Sequence, residues 1–208
     1  VHVPVLHFFP ERTFANTDAH KTSMTLEHLL TMTAGMDCRD SWRFGWTGLS
    51  DMLDSPDWLQ HVLDRPMAEA PGQRFEYCNG ASFLLAAILE TATGMKALDY
   101  ARKFLFNPIG ISDVSWSTSS KGIAAGFYGI WMKPHDMAKF GWLYLNQGRW
   151  NGTQVVPTDW VKKSTKSHVK ANAFHYYGYQ WSRGQKGIYS AIGHRGQYIL
   201  VVPEHNLV

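Results

Sequence analysis

Apolar residues recur at helical spacing through most of this chain and give way to strand-like runs only near its end. Leu26, Leu29, Leu30 and Thr33 line one face of a segment that Gly35 stops, which predicts a short helix over 25–34. The aromatic-rich stretch 36–53 has no clean period and reads as a long ordered loop. Ser55-Pro56 then opens a helix through Asp64, with Trp58, Leu59, Val62 and Leu63 on its apolar face. The strongest period, Phe83, Leu84, Ala87, Ile88 and Thr91, predicts a buried-face helix from Gly80 that Gly94 ends. The helix after it stops before Pro108. Pro134 and Asp136 begin a helix with Met137, Phe140 and Tyr144 on one face, 150–153 reads as a hairpin-type turn, and 157–165 is a further amphipathic helix. Strands dominate only over 177–182, 188–193 and 197–202, joined by Gly-containing turns.

This order predicts an α+β chain, mainly helical over 1–165, with an antiparallel sheet beginning in 166–208. At 208 residues and 45% hydrophobic, the chain has material for a packed core in one large domain or two small ones. The net charge of +3 is spread out, with no basic run longer than Lys162-Lys163, which argues against a nucleic-acid partner. Ten histidines do not change the picture, because none falls in a zinc-ligand spacing; no metal site and no cofactor is indicated. Two cysteines, Cys38 and Cys78, are compatible with one disulfide or two free thiols and leave the compartment open. No stretch reaches the ~18 to 20 apolar residues of a membrane span. Val1 is not an initiator and "ILVVPEHNLV" stops inside an apolar run, so the chain is expected to be a piece of a longer protein, lacking parts of the domain at both ends. Its location is periplasmic or extracellular if the parent carries a signal peptide, and cytoplasmic otherwise. The oligomeric state is not readable.

Among residues that could carry chemistry, Tyr77-Cys78-Asn79 follows a Pro-Gly turn and two extended residues and precedes a helix, a place from which a loop can aim side chains. Tyr-x-Asn is weak by itself, since Tyr144-Leu145-Asn146 also matches, at what reads as a helix C-terminus. Asn79 could equally serve as the N-cap of the following helix. The local evidence leaves both readings open.

The whole run of segments is more informative. "TLEHLLTMTAGM", "FEYCNGASFLLAAILETATGM", "ARKFLFNPIGISD", "PHDMAKFGWLYLNQGRWNG" and "GHRGQYILVVPE" together resemble, in order, the serine beta-lactamase-related hydrolases. That group contains class C beta-lactamases, D-alanyl-D-alanine carboxypeptidases, family VIII esterases and aminohexanoate-oligomer hydrolases. The resemblance covers roughly 25–208 and implies the beta-lactamase/transpeptidase fold. It implies acyl transfer to a serine and then hydrolysis of an ester, amide or lactam, with a small-molecule or peptide-like acyl substrate as partner. The family uses a Ser-x-x-Lys, a Tyr-x-Asn, and a Lys-Thr-Gly or His-x-Gly. Tyr77 and Asn79 look like the second motif, and His194-Arg195-Gly196 like the third. The resemblance then makes Tyr77 a proton shuttle, Asn79 an anchor for lysine and substrate, and His194 an electrostatic partner. Gly196 would permit close substrate approach and the Gln197 amide would donate to the oxyanion. A phenol with pKa near ~10 needs neighbouring cations to act as a base at neutral pH.

Three points depart from a complete site. The lone Ser-x-x-Lys, Ser167-His168-Val169-Lys170, comes after Tyr77 and reads as accidental, which places the expected nucleophile upstream of this chain. Arg195 stands where a hydroxyl residue is common; it either binds a substrate carboxylate or points into solvent. Trp42, Phe44 and Trp46 either shape an acyl pocket or pack in the core. A catalytically inactive relative used for binding or scaffolding is the alternative to an enzyme.

Overall fold

The computed structural model describes residues 1–41 and 44–208. Its helices follow as α1 (Ala19–Ser23), α2 (Leu26–Leu30), α3 (Thr47–Asp54), α4 (Trp58–Leu63), α5 (Asn79–Thr93), α6 (Ala97–Ala101), α7 (Pro134–Leu145) and α8 (Thr158–Ser164). The strands are β1 (Ser115–Trp116), β2 (Ile130–Trp131), β3 (Arg149–Trp150), β4 (Thr153–Gln154), β5 (Val169–Lys170), β6 (Tyr176–Tyr177), β7 (Ser182–Arg183), β8 (Tyr189–Ile192) and β9 (Tyr198–Val201). The mixture is α+β. The chain forms two compact units, Val1–Ala97 with Trp116–Gly129, and Leu98–Ser115 with Ile130–Val208.

In the first unit α5 is the central element, and α2, α3 and α4 pack on it. Of the residues whose period predicted it, Phe83, Leu84, Ala87 and Ile88 are buried and Thr91 is exposed, and Gly94 ends it in the left-handed conformation. Gly80 lets α4 approach closely, since a Cβ there would lie 3.0 Å from Val62 Cγ1. The helix expected over 25–34 stops after Leu30: Met32 already turns left-handed, at φ 57°, and the Thr33 amide donates back to the His28 carbonyl at 2.8 Å. Residues 47–54, expected as loop, form α3. Its buried residues are only Gly48 and Met52, too few to write a helical period. Sequence pattern also passed over Lys21, which is fully buried and donates to the carbonyls of Ala15 at 2.8 Å and Leu63 at 2.7 Å. Those bonds satisfy a buried ammonium and one open carbonyl at the end of α4.

In the second unit one apolar cluster gathers Phe106, Ile109, Ile111, Val114 and Leu143, and another Tyr144, Val161, Trp181, Tyr189 and Val201. Helix α7 supplies Leu143 and Tyr144 to the two clusters and packs on β9. Gly141 makes that approach possible, because a Cβ would stand 2.8 Å from Ile199 Cγ2. The five-stranded sheet is antiparallel in the order β5-β6-β7-β8-β9, with Ile192 opposite Tyr198 and Tyr189 opposite Val201. The single strand expected over 177–182 is divided. Tyr177 ends β6 and Ser182 begins β7, with the Gly178 amide donating to the Trp181 carbonyl at 2.8 Å across a turn. The expected hairpin at 150–153 is present, with Asn151 at φ 45° and Gly152 at φ 83° between β3 and β4.

Candidate active site

In the first unit, residues 72–78 run toward α5 and are secured from the turn that follows α2: the Gly72 amide donates to the Thr33 carbonyl and the Glu76 amide to the Met32 carbonyl, each at 2.8 Å. Cys78 is extended and occupies the N-cap position without a side-chain capping bond, so the cap reading for Asn79 shifts by one residue. Asn79 is the first helical residue and is 6% exposed, whereas Tyr77 is 41% exposed. The open amide at the head of α5 is met from elsewhere. Asp40 Oδ2 accepts the Asn79 N–H at 2.7 Å. Cys78 is bonded to Cys38 in a disulfide, with Cα atoms 5.6 Å apart, which settles the pairing that the sequence left open.

The electrostatics of this corner are those of buried charge. Burial pushes the Asp40 carboxyl above the ordinary carboxylate range, against the opposing pull of the Asn79 amide and the Arg65 guanidinium. Arg65 donates to the carbonyls of Cys38, at 3.2 Å, and Gly48, so both walls of the Asp40 pocket are tied to one side chain. The Tyr77 phenol is held above its usual range, first by desolvation and then by the Asp40 charge. The charged neighbour that shifts it is therefore an anion, opposite in sign to the cations that the sequence reading wanted beside a basic phenol.

In the second unit His194, Arg195 and Gly196 make the turn between β8 and β9, all three exposed. The Gly193 amide donates to the Gln197 carbonyl at 2.9 Å and the Gly196 amide to the Gly193 carbonyl at 3.2 Å. The Arg195 amide donates to Gln197 Oε1 at 3.2 Å, so the Gln197 side chain folds over the turn. Gly196 takes φ 89°, a conformation that explains glycine there without reference to substrate. Trp46 occupies the N-cap position before α3 in the left-handed conformation and is 40% exposed; Trp42 lies outside the described residues.

The structure thus joins Tyr77 and Asn79 to three residues that sequence reading missed as site components: Cys38, Asp40 and Arg65. The usable signal was the second cysteine, since Cys78 inside the tripeptide names its own partner once the two are paired. Among the described residues no group of three or more His, Cys, Asp or Glu side chains could hold a metal ion, and no single helix is long and apolar enough to cross a membrane.

A family model described as Beta-lactamase matches residues 2–208. The chain belongs to this Beta-lactamase family, the serine beta-lactamase-related hydrolases. Esterase EstB of Burkholderia gladioli is 28% identical over 122 residues, 53% of this chain and 30% of that protein. An uncharacterized protein of Alkalihalophilus pseudofirmus is 30% identical over 112 residues, 46% of this chain and 33% of its own length. Among solved structures, a candidate 6-aminohexanoate-dimer hydrolase from Bacillus anthracis superimposes with TM-score 0.80 at 20% identity, over 98% of this chain and 57% of that one. EstCE1, a hydrolase with promiscuous acyltransferase activity, gives 0.79 at 15% identity, over 98% and 70%. At these identities the superpositions establish a shared fold. This Beta-lactamase-family chain spans about a third of the length of the curated relatives it matches.

Proposed function

We propose that the protein carrying this chain is a serine hydrolase working through an acyl-enzyme on an ester, amide or lactam. The observation that carries the reading is the state of Tyr77-Cys78-Asn79: a part-exposed tyrosine next to a buried asparagine, fixed at the head of the central helix within a chain of this family. The nucleophile belongs to a Ser-x-x-Lys upstream of residue 1. Its hydroxyl attacks the acyl carbon; Tyr77 takes the serine proton and passes it to the leaving group. Water then releases the acyl group with Tyr77 in the reverse role. Asn79 anchors the lysine and the substrate amide, His194 acts electrostatically, and the Gln197 amide donates to the oxyanion. Gly196 and Arg195 border the substrate. The disulfide favours the periplasmic or extracellular alternative.

The test is labelling of the full-length protein with a fluorophosphonate and a penicillin, followed by turnover of short-chain esters, a chromogenic lactam and a D-Ala-D-Ala peptide. Tyr77→Phe should lower kcat/KM by roughly 10²- to 10⁴-fold without loss of folding. A protein that takes up neither probe, and whose upstream sequence has no Ser-x-x-Lys, would instead be an inactive binding or scaffold relative.

A further inference from the structure

We propose that Asp40 is a positioning residue for catalysis: its buried carboxylate fixes the head of α5 and, through the Asn79 amide, the placement of Tyr77 two residues before it. This rests on the reading of Tyr77 as proton shuttle.

Asp40 is only 2% exposed, and its two oxygens are used unequally. Oδ2 accepts the Asn79 amide at 2.7 Å, while Oδ1 is buried with no hydrogen-bond partner among the described residues. A neutral Ser, Thr or Asn satisfies a helix head as well as a carboxylate does, so capping alone does not require a charge here. A buried carboxylate with an open oxygen is among the more costly things a fold can keep. The surroundings are nevertheless built around it. Gly48 leaves the space open, since a Cβ would stand 2.8 Å from Oδ1. Arg65, 6% exposed, holds both walls through their backbone carbonyls and lends its charge without donating to the carboxylate. The Cys38–Cys78 disulfide ties residues two before Asp40 and one before Asn79.

What the charge reaches is the motif. One amide of the tripeptide bonds it directly, and the Tyr77 phenol is pushed above its usual range first by desolvation and then by this anion. Arg65 is the cation that bears on Asp40, and Asp40 in turn helps raise the Glu76 carboxyl; Arg65 is itself biased by Asp37, Asp51 and Arg39.

The experiment uses the full-length protein, its Asp40→Asn and Asp40→Ser variants, and Tyr77→Phe. Steady-state kinetics of a short-chain ester are measured against pH, and tyrosinate absorbance is titrated in each, the Tyr77 signal being the difference from Tyr77→Phe. The proposal expects kcat to fall about 10- to 100-fold in a variant that stays folded, with KM within threefold, and the Tyr77 tyrosinate signal to move to lower pH. Retention of either kcat or the tyrosinate midpoint in a folded variant overturns it. Should neither variant fold, Asp40→Glu, which keeps the charge and displaces it by one methylene, decides: an unchanged kcat overturns the proposal, and a lowered kcat with KM within threefold upholds it. Full activity in Tyr77→Phe would defeat the shuttle reading, whereas the tyrosinate comparison reports the Asp40 coupling regardless of turnover. Stability supplies the sign. The folded Asp40 carboxyl titrates above its unfolded value, so what it contributes is fully present at acid pH and is lost as pH rises through the folded value. Asp40→Asn should therefore gain on the wild type as pH rises through and above the carboxylate range; an ordinary salt-bridged carboxylate gives the reverse.

Discussion

Tyr77-Cys78-Asn79 and His194-Arg195-Gly196 are both three-residue stretches next to a regular element, yet the fold secures them by opposite means. The first is held by partners distant in sequence: a disulfide across 40 positions, a carboxylate 39 residues before Asn79, and Arg65, whose bonds hold the carbonyls around that carboxylate. In the second the backbone amides of Gly193, Arg195 and Gly196 make bonds spanning no more than four residues, at an exposed turn. A site residue supported through tertiary partners can be disabled by a change far along the chain. One supported by its own hairpin can be disabled only locally. The difference also separates the chemistry: the Asp40 charge is buried and little screened, while groups in the exposed turn are screened by solvent.

The largest test of this contrast is the covalent tie. Replacing Cys38 and Cys78 together by Ala frees a loop of 40 residues, for which chain entropy predicts a loss of about 4 kcal/mol. Denaturant unfolding of wild type and variant measures it. Ester turnover should fall with it, because the same tie holds the loop that carries Asp40. Unchanged turnover in folded variant protein would show that the tripeptide does not need its distant support. A smaller effect tests the space around Asp40. Gly48→Ala lies inside α3, where alanine normally gains about 1 kcal/mol over glycine. Here its methyl meets the Cys38 carbonyl and Asp40 Oδ1, and overpacking of about 1 to 3 kcal/mol reverses the sign. A stabilised Gly48→Ala protein would break the account of that pocket.

What the sequence made legible follows the same division. Helix α5 and the hairpin at Asn151-Gly152 are written in local pattern, and their structures match it. Helix α3 was hidden because it buries two residues only, and the break at 178–181 because strand-forming Tyr179 and Trp181 lie in it; both are buried there. At the candidate site the order of the family-like segments pointed to Tyr77 and Asn79. Nothing local could point to Asp40 or Arg65, whose roles exist only when 38–48 and 65 are brought to the head of α5. Their burial as charged residues is a tertiary fact, invisible to periodicity.

The smallest expected effect concerns Arg195, and it sharpens the contrast from the other side. Arg195 is exposed, and the hydrogen bond that fixes its position in the turn, 3.2 Å to Gln197 Oε1, comes from its backbone amide. That bond survives truncation, so Arg195→Ala should leave the melting temperature unchanged. Its guanidinium makes no hydrogen bond or ion pair among the described residues, and the proposed role for it is to bind a substrate carboxylate through two parallel hydrogen bonds. In the full-length protein, Arg195→Ala should raise KM for acidic esters by about tenfold, with less than a twofold change for neutral ones, and added salt should shrink the difference. Equal effects on both substrates would make Arg195 a solvent-facing residue of the turn. A lowered melting temperature would show that the turn, like the tripeptide, leans on partners beyond its own hairpin.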